Sequence, residues 1–558
     1  MHGHARQIFP DETLRSLPKQ LLPAVVFQLN ICTCTATPDK FSLMKLCGRY
    51  RSAENPKVSL AAHNMGFGVI GADGITMSIC NSMWLLFGQT SFNLAFCCYL
   101  HHQFFNWASV PGGRFSNPPT TPSPNVSSKF HSMHKPFIIF ISLCLTFLSS
   151  KAQIDIANYV KQNIIPISTI EPDSTDYRDL ERIGNAIGES RIVMLGEQDH
   201  GDAPAFLAKT RLIKYLHEKK GFNVVAFESD FFGLNYGWDN LSKNKNEIDS
   251  FLKKNIFSLW TLCDGCQDLF YNTIPNSYQT KNPISMTGFD NQMSLKFSSK
   301  NLSQKIDSVL KKLNLPITNK IDYNLNTLSL IDSMSKFSFI SKDNSFYDKL
   351  LEQLNIIKSE ISLRIEDNSY WKILINNLLA TTIQMKYHFS VKGSNARDIQ
   401  MAGNLKWLST YKFPNEKIIV WAHNYHISKF GGNFSEKFLN AANTMGTEFT
   451  KDTSLNRKTY IIGFTSLEGT SGRLMDNPTK PYKIQKPTKN SIENWFDETL
   501  NYGFVDFRKF NELNPNNSVE FNMKANLIGI NRNHKAQWTH IYDGVFYIKK
   551  MYPCVLVK

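Results

Sequence analysis

Ile192-Val193-Met194-Leu195-Gly196-Glu197-Gln198-Asp199-His200-Gly201 passes from an apolar run directly into a loop with a carboxylate and an imidazole three positions apart. The residues on its C-terminal side decide the fold. Asp202 stands where a helix N-cap belongs and Pro204 suits a first turn; Ala205, Ala208, Leu212 and Leu216 then recur at helical spacing, and Gly221 comes after Lys219-Lys220 as a stop. A second apolar run, Val224 to Phe227, ends in Glu228. Strand 191–195, loop 196–202, helix 203–219 and strand 223–228 make a βαβ unit, whose two strands must be parallel. In such proteins the chemistry gathers outside the carboxyl ends of the strands.

Outward from this unit, further strands are predicted at Ile284 to Phe289, Lys417 to Ala422, Tyr460 to Phe464, Leu527 to Ile530 and Val545 to Ile548. Between the first two of these lies a long helical tract, roughly 300–408, with stripes such as Leu350, Leu351, Leu354, Ile357 and Ile361. The expected architecture is α/β: a mostly parallel central sheet with flanking helices and an inserted helical cap that shapes a pocket at the mouth of the sheet.

Three strand ends carry the candidate chemistry: Glu197 and His200, Glu228, and His423-Asn424-Tyr425-His426. A neutral His200 before a helix N-terminus suits a general base. Glu228 is expected to orient that imidazole, with Asp230 as its competitor. His423 and His426 reach one pocket if the chain turns helically after Ala422. Asn424 offers a donor to a developing oxyanion, and His426 is the histidine expected to meet a backbone carbonyl. Arg397 shares a helix face with Met401, Leu405 and Leu408, so it must be paired or line a pocket; its neighbour Asp398 reads as a carboxylate at a helix N-terminus. Arg211 and Lys209 are weaker substrate-binding candidates, solvated helix charges being the ordinary reading. Any one of these residues alone would be an ordinary loop polar group. Five ionisable groups converging on three strand ends point to a site.

The 558-residue chain changes character near position 133. Residues 133–153, MHKPFIIFISLCLTFLSSKAQ, have the layout of a secretory signal: Met133, Lys135, an apolar core from Phe137 to Leu148, and small residues before a cleavage point after Ala152. That core is shorter than the roughly 20 residues a spanning helix needs. We therefore expect 1–132 to be an over-extended segment without a fold of its own, 133–152 a signal peptide, and 153–558 the exported protein, in the periplasm or outside the cell. The rival is a genuine N-terminal domain with an internal membrane anchor. The formal charge is +15 overall and +8 over 153–558, without a basic stripe interleaved with aromatics, so no nucleic-acid partner is expected. Cys263 and Cys266 form a CxxC, read as a small loop disulfide or two free thiols, since no second ligand pair makes a zinc site.

Several segments together resemble the erythromycin esterase family: IVMLGEQDHGD, LIKYLHEKKGFNVVAFESD, GFDNQ at 288–292, NARDIQMAGNLKWL at 395–408, IIVWAHNYHISK, IIGFTSLEGT at 461–470 and the closing YDGVFYIKK. They stand in the family's order over most of 170–550. The resemblance implies an α/β core with a helical subdomain and hydrolysis of a macrolactone or related small-molecule ester without metal or cofactor. His200 matches the water-activating base, Glu197 and Glu228 its acidic partners, and His423 the second essential histidine. Leu207 departs from the acidic residue expected in many relatives, which bears on substrate range. No GxSxG elbow is present in 153–558 to supply a serine nucleophile. Two other classes compete: a metal-dependent hydrolase or peptidase using the same Glu and His set, against which stands the lack of an HExxH-type spacing, and a non-catalytic ligand-binding relative in the cell envelope.

Overall fold

Strands that alternate between two buried faces read as continuous apolar runs, and this sheet obeys that rule. Ile192, Met194, Val224, Ala226, Ile418 and Val420 enter the core on one face; Val193, Leu195, Val225, Phe227, Ile419 and Trp421 enter that on the other. The computed structural model describes residues 155–557 apart from 337–342, 389, 430–433, 435–436, 473–480 and 528–532. The expectations for 1–132 and for the signal at 133–152 lie outside the described residues, as does most of the strand expected at 527–530.

The strands are β1 (Ile165–Ile167), β2 (Ile192–Leu195), β3 (Phe222–Asp230), β4 (Ser285–Asp290), β5 (Lys417–Trp421), β6 (Thr459–Ser471), β7 (Tyr482–Lys483), β8 (Tyr502–Asp506), β9 (Phe521–Met523), β10 (His534–Ala536) and β11 (Gly544–Met551). The main sheet has the order β1-β8-β11-β6-β2-β5-β3-β4, with β7 added to β6; β9 and β10 form a separate pair. From β11 across to β4 every neighbouring pair is parallel, and β8 runs antiparallel to both β11 and β1. The sheet is therefore mostly parallel, as expected. β2 and β3 are parallel but not adjacent: β5 fills the slot between them, pairing Leu195 with Trp421 on one side and Trp421 with Phe227 on the other. The three motif-bearing strand ends are thus consecutive in the sheet.

Helix α1 (Ala203–Lys220) carries β2 over to β3 across one face, burying Ala205, Ala208, Leu212 and Leu216 as the spacing predicts. It ends at Gly221, whose φ of 74° suits a glycine and whose N–H bonds the Leu216 carbonyl. The crossover from β4 to β5 lies on the opposite face and contains α2 (Lys296–Lys312), α3 (Asn344–Ser362), α4 (Tyr370–Lys386) and α5 (Val391–Trp407). Leu302, Leu354, Leu378 and Leu405 from these helices join one continuous core with that sheet face. None of the helices among the described residues is long and apolar enough to cross a membrane.

Two local expectations are corrected. Asp202 occupies the N-cap position of α1, but its side chain makes no cap hydrogen bond and takes the Ser471 hydroxyl instead. The sulfurs pair as Cys263–Cys554, leaving Cys266 a buried free thiol, so the CxxC forms neither a local loop disulfide nor a pair of free thiols. The sequence could not show that the chain's far end returns beside residue 263.

Candidate active site

The loop after β2 is held close against the turn after β5. At Gly196 a Cβ would come within 2.1 Å of Asn424 Oδ1, so only glycine lets the two approach. The Glu197 carbonyl accepts from Asn424 N–H at 2.9 Å. As expected, the chain turns helically after Ala422, in the short helix α6 (Asn424–Ile427), and this brings His423 and His426 into one region.

His200 Nδ1 stands 2.7 Å from Glu197 Oε1. The other Glu197 oxygen takes Lys209 Nζ at 2.6 Å, and Trp260 Nε1–H donates to Oε1 at 3.2 Å. Glu197 and Lys209 are completely buried, with the Lys209 ammonium 3.9 Å above the centre of the Trp421 ring. Burial favours protonation of the Glu197 carboxyl, but Lys209 and His200 outweigh it and hold the group below its ordinary value. Burial likewise draws Lys209 down, against the pull of Glu197. A carboxylate only accepts, so Nδ1 of His200 is the donor, which in the neutral imidazole leaves the lone pair on Nε2. Nε2 has no hydrogen-bond partner among the described residues. This corrects the expected orientation: Glu197, and not Glu228, orients His200.

Glu228 serves the neighbouring cluster. Its Oε2 accepts from His423 N–H at 2.8 Å, while Oε1 takes Arg397 Nη2 at 3.0 Å and lies 3.2 Å from His426 Nε2. Arg397 also grips Asp290, Nε at 3.1 Å and Nη2 at 2.7 Å. His426 Nδ1 bonds Asp398 at 2.7 Å. Burial opposes charge on His426, but the two carboxylates at Asp398 and Glu228 prevail and push it up to about 10, making it an imidazolium. Arg397 Nη1, 3.2 Å from His426 Nε2, is then one cation facing another across the Glu228 carboxylate they share. Burial resists the charge on Glu228 too, yet His426, His200 and Arg397 hold its carboxyl well below the usual range.

His423 differs from both other histidines. Nε2 faces the Gln198 carbonyl at 2.8 Å and must donate; Nδ1 accepts from Tyr425 N–H at 3.1 Å, capping α6. Burial, helped by the nearby His200, drives its pKa down to about 3. The residue meeting a backbone carbonyl is thus His423, whereas His426 sits in an ion cluster. The His423 ring lies between the other two, 5.2 Å from His200 and 6.4 Å from His426, centre to centre.

Two other candidates are placed elsewhere. Asn424 is fully buried with its amide spent on backbone: Nδ2 donates to Phe464 and Ala525 carbonyls, and Oδ1 accepts from Phe464 N–H. No donor remains for an oxyanion. Arg211 is buried, pairing with Asp179 and two carbonyls at Thr169 and Asp176, and anchors residues 169–179 to α1. Asp230 does not compete with Glu228, because it binds Gly233 N–H, Leu295 N–H and Ser298. Asp398 lies inside α5 and not at its start. Sequence reasoning undervalued Lys209 and passed over Trp260 and Asp290. Lys209 carries one signal: on a helix whose neighbours are Ala208, Leu212 and Leu216, a lysine facing the sheet must meet a carboxylate.

A histidine held by an ionised carboxylate at the carboxyl ends of parallel strands, beside a buried cluster of ion pairs, has the parts of a hydrolytic centre on an α/β fold. The profile described as Erythromycin esterase matches residues 217–551, and the chain belongs to that family. It is 26% identical over 445 residues to the Bacillus subtilis protein YbfO, covering 75% of this chain and 97% of that one. It is 23% identical over 432 residues to the Escherichia coli erythromycin esterase type II, covering 70% and 97%. A histidine-to-asparagine mutant of the erythromycin esterase EreC, solved in its open conformation, shares the fold with a TM-score of 0.54 at 17% identity, over 71% of this chain and 99% of that one. The family and these relatives support hydrolase activity on a small molecule.

Proposed function

We propose that the protein hydrolyses a lactone or related carboxylic ester, with a macrolactone as the leading substrate class and macrolide resistance as one biological outcome. The observation that carries the reading is the Lys209–Glu197–His200 chain, which fixes Nδ1 of His200 as a donor and leaves Nε2 without a hydrogen-bond partner among the described residues. In this mechanism Nε2 removes a proton from water as the water attacks the ester carbonyl. Glu197 steadies the imidazolium that results, as the buried acid of a triad does. Arg397 Nη1, the nitrogen of that guanidinium not held by a carboxylate, is the donor toward the tetrahedral oxyanion, and the protonated His200 returns its proton to the departing alkoxide. Neutral His423, saturated by Gln198 and Tyr425, keeps the two charged clusters apart and fixes the backbone between them.

The metal-dependent alternative has less support. The Glu197 and Glu228 oxygens are engaged by Lys209 and Arg397, cations that an incoming ion would have to displace. Export of the chain through the segment 133–152 belongs to the same proposal, and sequencing the mature N-terminus tests it. For the chemistry, ring opening of a 14-membered macrolide and cleavage of simple esters are followed by mass for wild type, His200→Ala and a chelator-treated sample. Turnover that survives the chelator and disappears in His200→Ala is expected. Turnover lost to the chelator would sink the mechanism, as would a His200→Ala variant that still hydrolyses.

A further inference from the structure

Two loops of the site end on one short segment. Directly after His200, the Gly201 carbonyl accepts from Cys554 N–H at 2.8 Å, and Ala203 N–H donates to the Tyr552 carbonyl at 3.1 Å. Asp202 and Pro553 form an antiparallel bridge between these bonds. The same segment also holds the loop after Trp260. Asp264 N–H donates to the Val555 carbonyl at 3.1 Å, Val557 N–H to the Leu262 carbonyl at 2.9 Å, and Val555 N–H to Asp264 Oδ1 at 3.0 Å. The Cys263–Cys554 disulfide locks the junction.

Residues 552–557 therefore form a strap between the His200 loop and the Trp260 loop. The indole of Trp260 lies edge-on to His200, ring centres 5.0 Å apart, and bonds the carboxylate that orients it. The strap also does the work of a helix cap. The first N–H groups of a helix need outside acceptors; the Asp202 side chain is committed to Ser471, and the Tyr552 carbonyl takes the first of these groups, the Ala203 N–H, which an N-cap side chain does not ordinarily serve. The strap joins other anchors of this loop, namely Asn424 N–H on the Glu197 carbonyl, His423 Nε2 on the Gln198 carbonyl, the Tyr482 hydroxyl on Asp199 and the Ser471 hydroxyl on Asp202, and it is the one that ties the loop to the segment after Trp260.

We propose that the disulfide-pinned strap sets the relative positions of His200 and Trp260, and that Cys554 is a positioning residue for the hydrolysis. The inference rests on the reading of His200 as the base. Reduction by a dithiol breaks the Sγ–Sγ bond, delivers two electrons and two protons to give the Cys263 and Cys554 thiols, and oxidises the reductant to its own disulfide. Cys263 and Cys554 are themselves buried, whereas Val555 and Leu556 beside them are more than half exposed, so a reductant reaches the bond when this surface strap loosens.

The test compares the oxidised full chain, the dithiol-reduced chain, Cys554→Ser and Cys266→Ala, all below their melting temperatures. Reduction and Cys554→Ser are expected to lower kcat about tenfold, with KM within about twofold, because a small misplacement of a base costs rate more than binding. Backbone amide exchange at 201–203 and 262–264 should rise about tenfold while α3 and α4 stay protected. Reoxidation should restore both readouts, and Cys266→Ala should respond to reductant as wild type does. A lowered melting temperature with unchanged kcat and unchanged exchange in these loops would overturn the proposal, leaving the bond a global staple. Loss of the reductant effect in Cys266→Ala would overturn it too, by moving the responsive bond to Cys266. Should no ester be hydrolysed by any form, the reading of His200 fails while the exchange measurement still decides the strap: faster exchange at 201–203 on reduction upholds it, and unchanged exchange overturns it.

Discussion

Replacing Lys209 by methionine removes the cation that keeps Glu197 ionised in a fully buried position. The two groups are 2.6 Å apart with no solvent exposure. At an effective dielectric of about 20, unit charges at that separation attract by about 6 kcal/mol. Desolvation offsets part of this, and breaking one side of a buried pair costs about 3 to 5 kcal/mol. Glu197 escapes some of that cost by taking up a proton, since burial, no longer opposed by Lys209, pushes its carboxyl upward. A protonated Glu197 no longer fixes His200 as an Nδ1 donor. Two linked effects are therefore expected in Lys209→Met: an unfolding free energy lower by about 3 kcal/mol, and a kcat at pH 7 reduced by about 100-fold or more, the contribution ordinarily made by a positioned base. The rate should recover partly as pH rises and Glu197 ionises again. Urea unfolding, a pH–rate profile on any ester that wild type cleaves, and 15N NMR of the His200 ring report these separately. A variant with an unchanged pH profile and less than about 1 kcal/mol lost, within the range of a surface ion pair, would show that Lys209 does not sustain the Glu197 charge.

Asn424→Ala leaves two carbonyls and one N–H without their buried partner. It should destabilise the fold by about 2 to 4 kcal/mol by chemical denaturation, and a loss of kcat with stability intact would return Asn424 to the oxyanion role. The two histidines predict a stability optimum with respect to pH. His423 is depressed to about 3 by burial, so its contribution is complete above its ordinary value of about 6.5 and is lost as pH falls from there toward 3. His426 is raised to about 10 by its carboxylates, so its contribution is complete below about 6.5 and is lost as pH rises from there through 10. Unfolding free energy should therefore peak near neutrality, and His426→Gln should flatten the alkaline side selectively; an unchanged alkaline decline in that variant would count against the assignment.

Much of the fold was legible because its signals are local. Apolar runs for β2, β3 and β5, the helical spacing of α1 and the stop at Gly221 appear in the chain within a few residues of one another. Their order alone requires a parallel sheet, and parallel sheets bring residues at and just beyond strand ends, such as Glu228, Glu197 and His200, to one edge. A helical turn after Ala422 could also be anticipated, because a strand must end where its flanking motif turns polar. The arrangement of partners was not legible in the same way. Insertion of β5 between β2 and β3 is a decision of topology, and it directs Glu228 to the His423 backbone, Arg397 and His426 while leaving His200 to Glu197.

The βαβ order, the mostly parallel sheet, the residue types at its carboxyl edge and the family resemblance are all readable along the chain. The closed fold adds the burial of Lys209 against Glu197, the commitment of Asn424 and Arg211 to structure, the neutral His423 beside a charged His426, and the Cys263–Cys554 bond. The division follows the range of the forces concerned. Propensity and hydrophobic period act between neighbours along the chain. Charge pairing, desolvation and disulfide connectivity depend on distances between residues as many as 291 positions apart, which exist only once the core has closed.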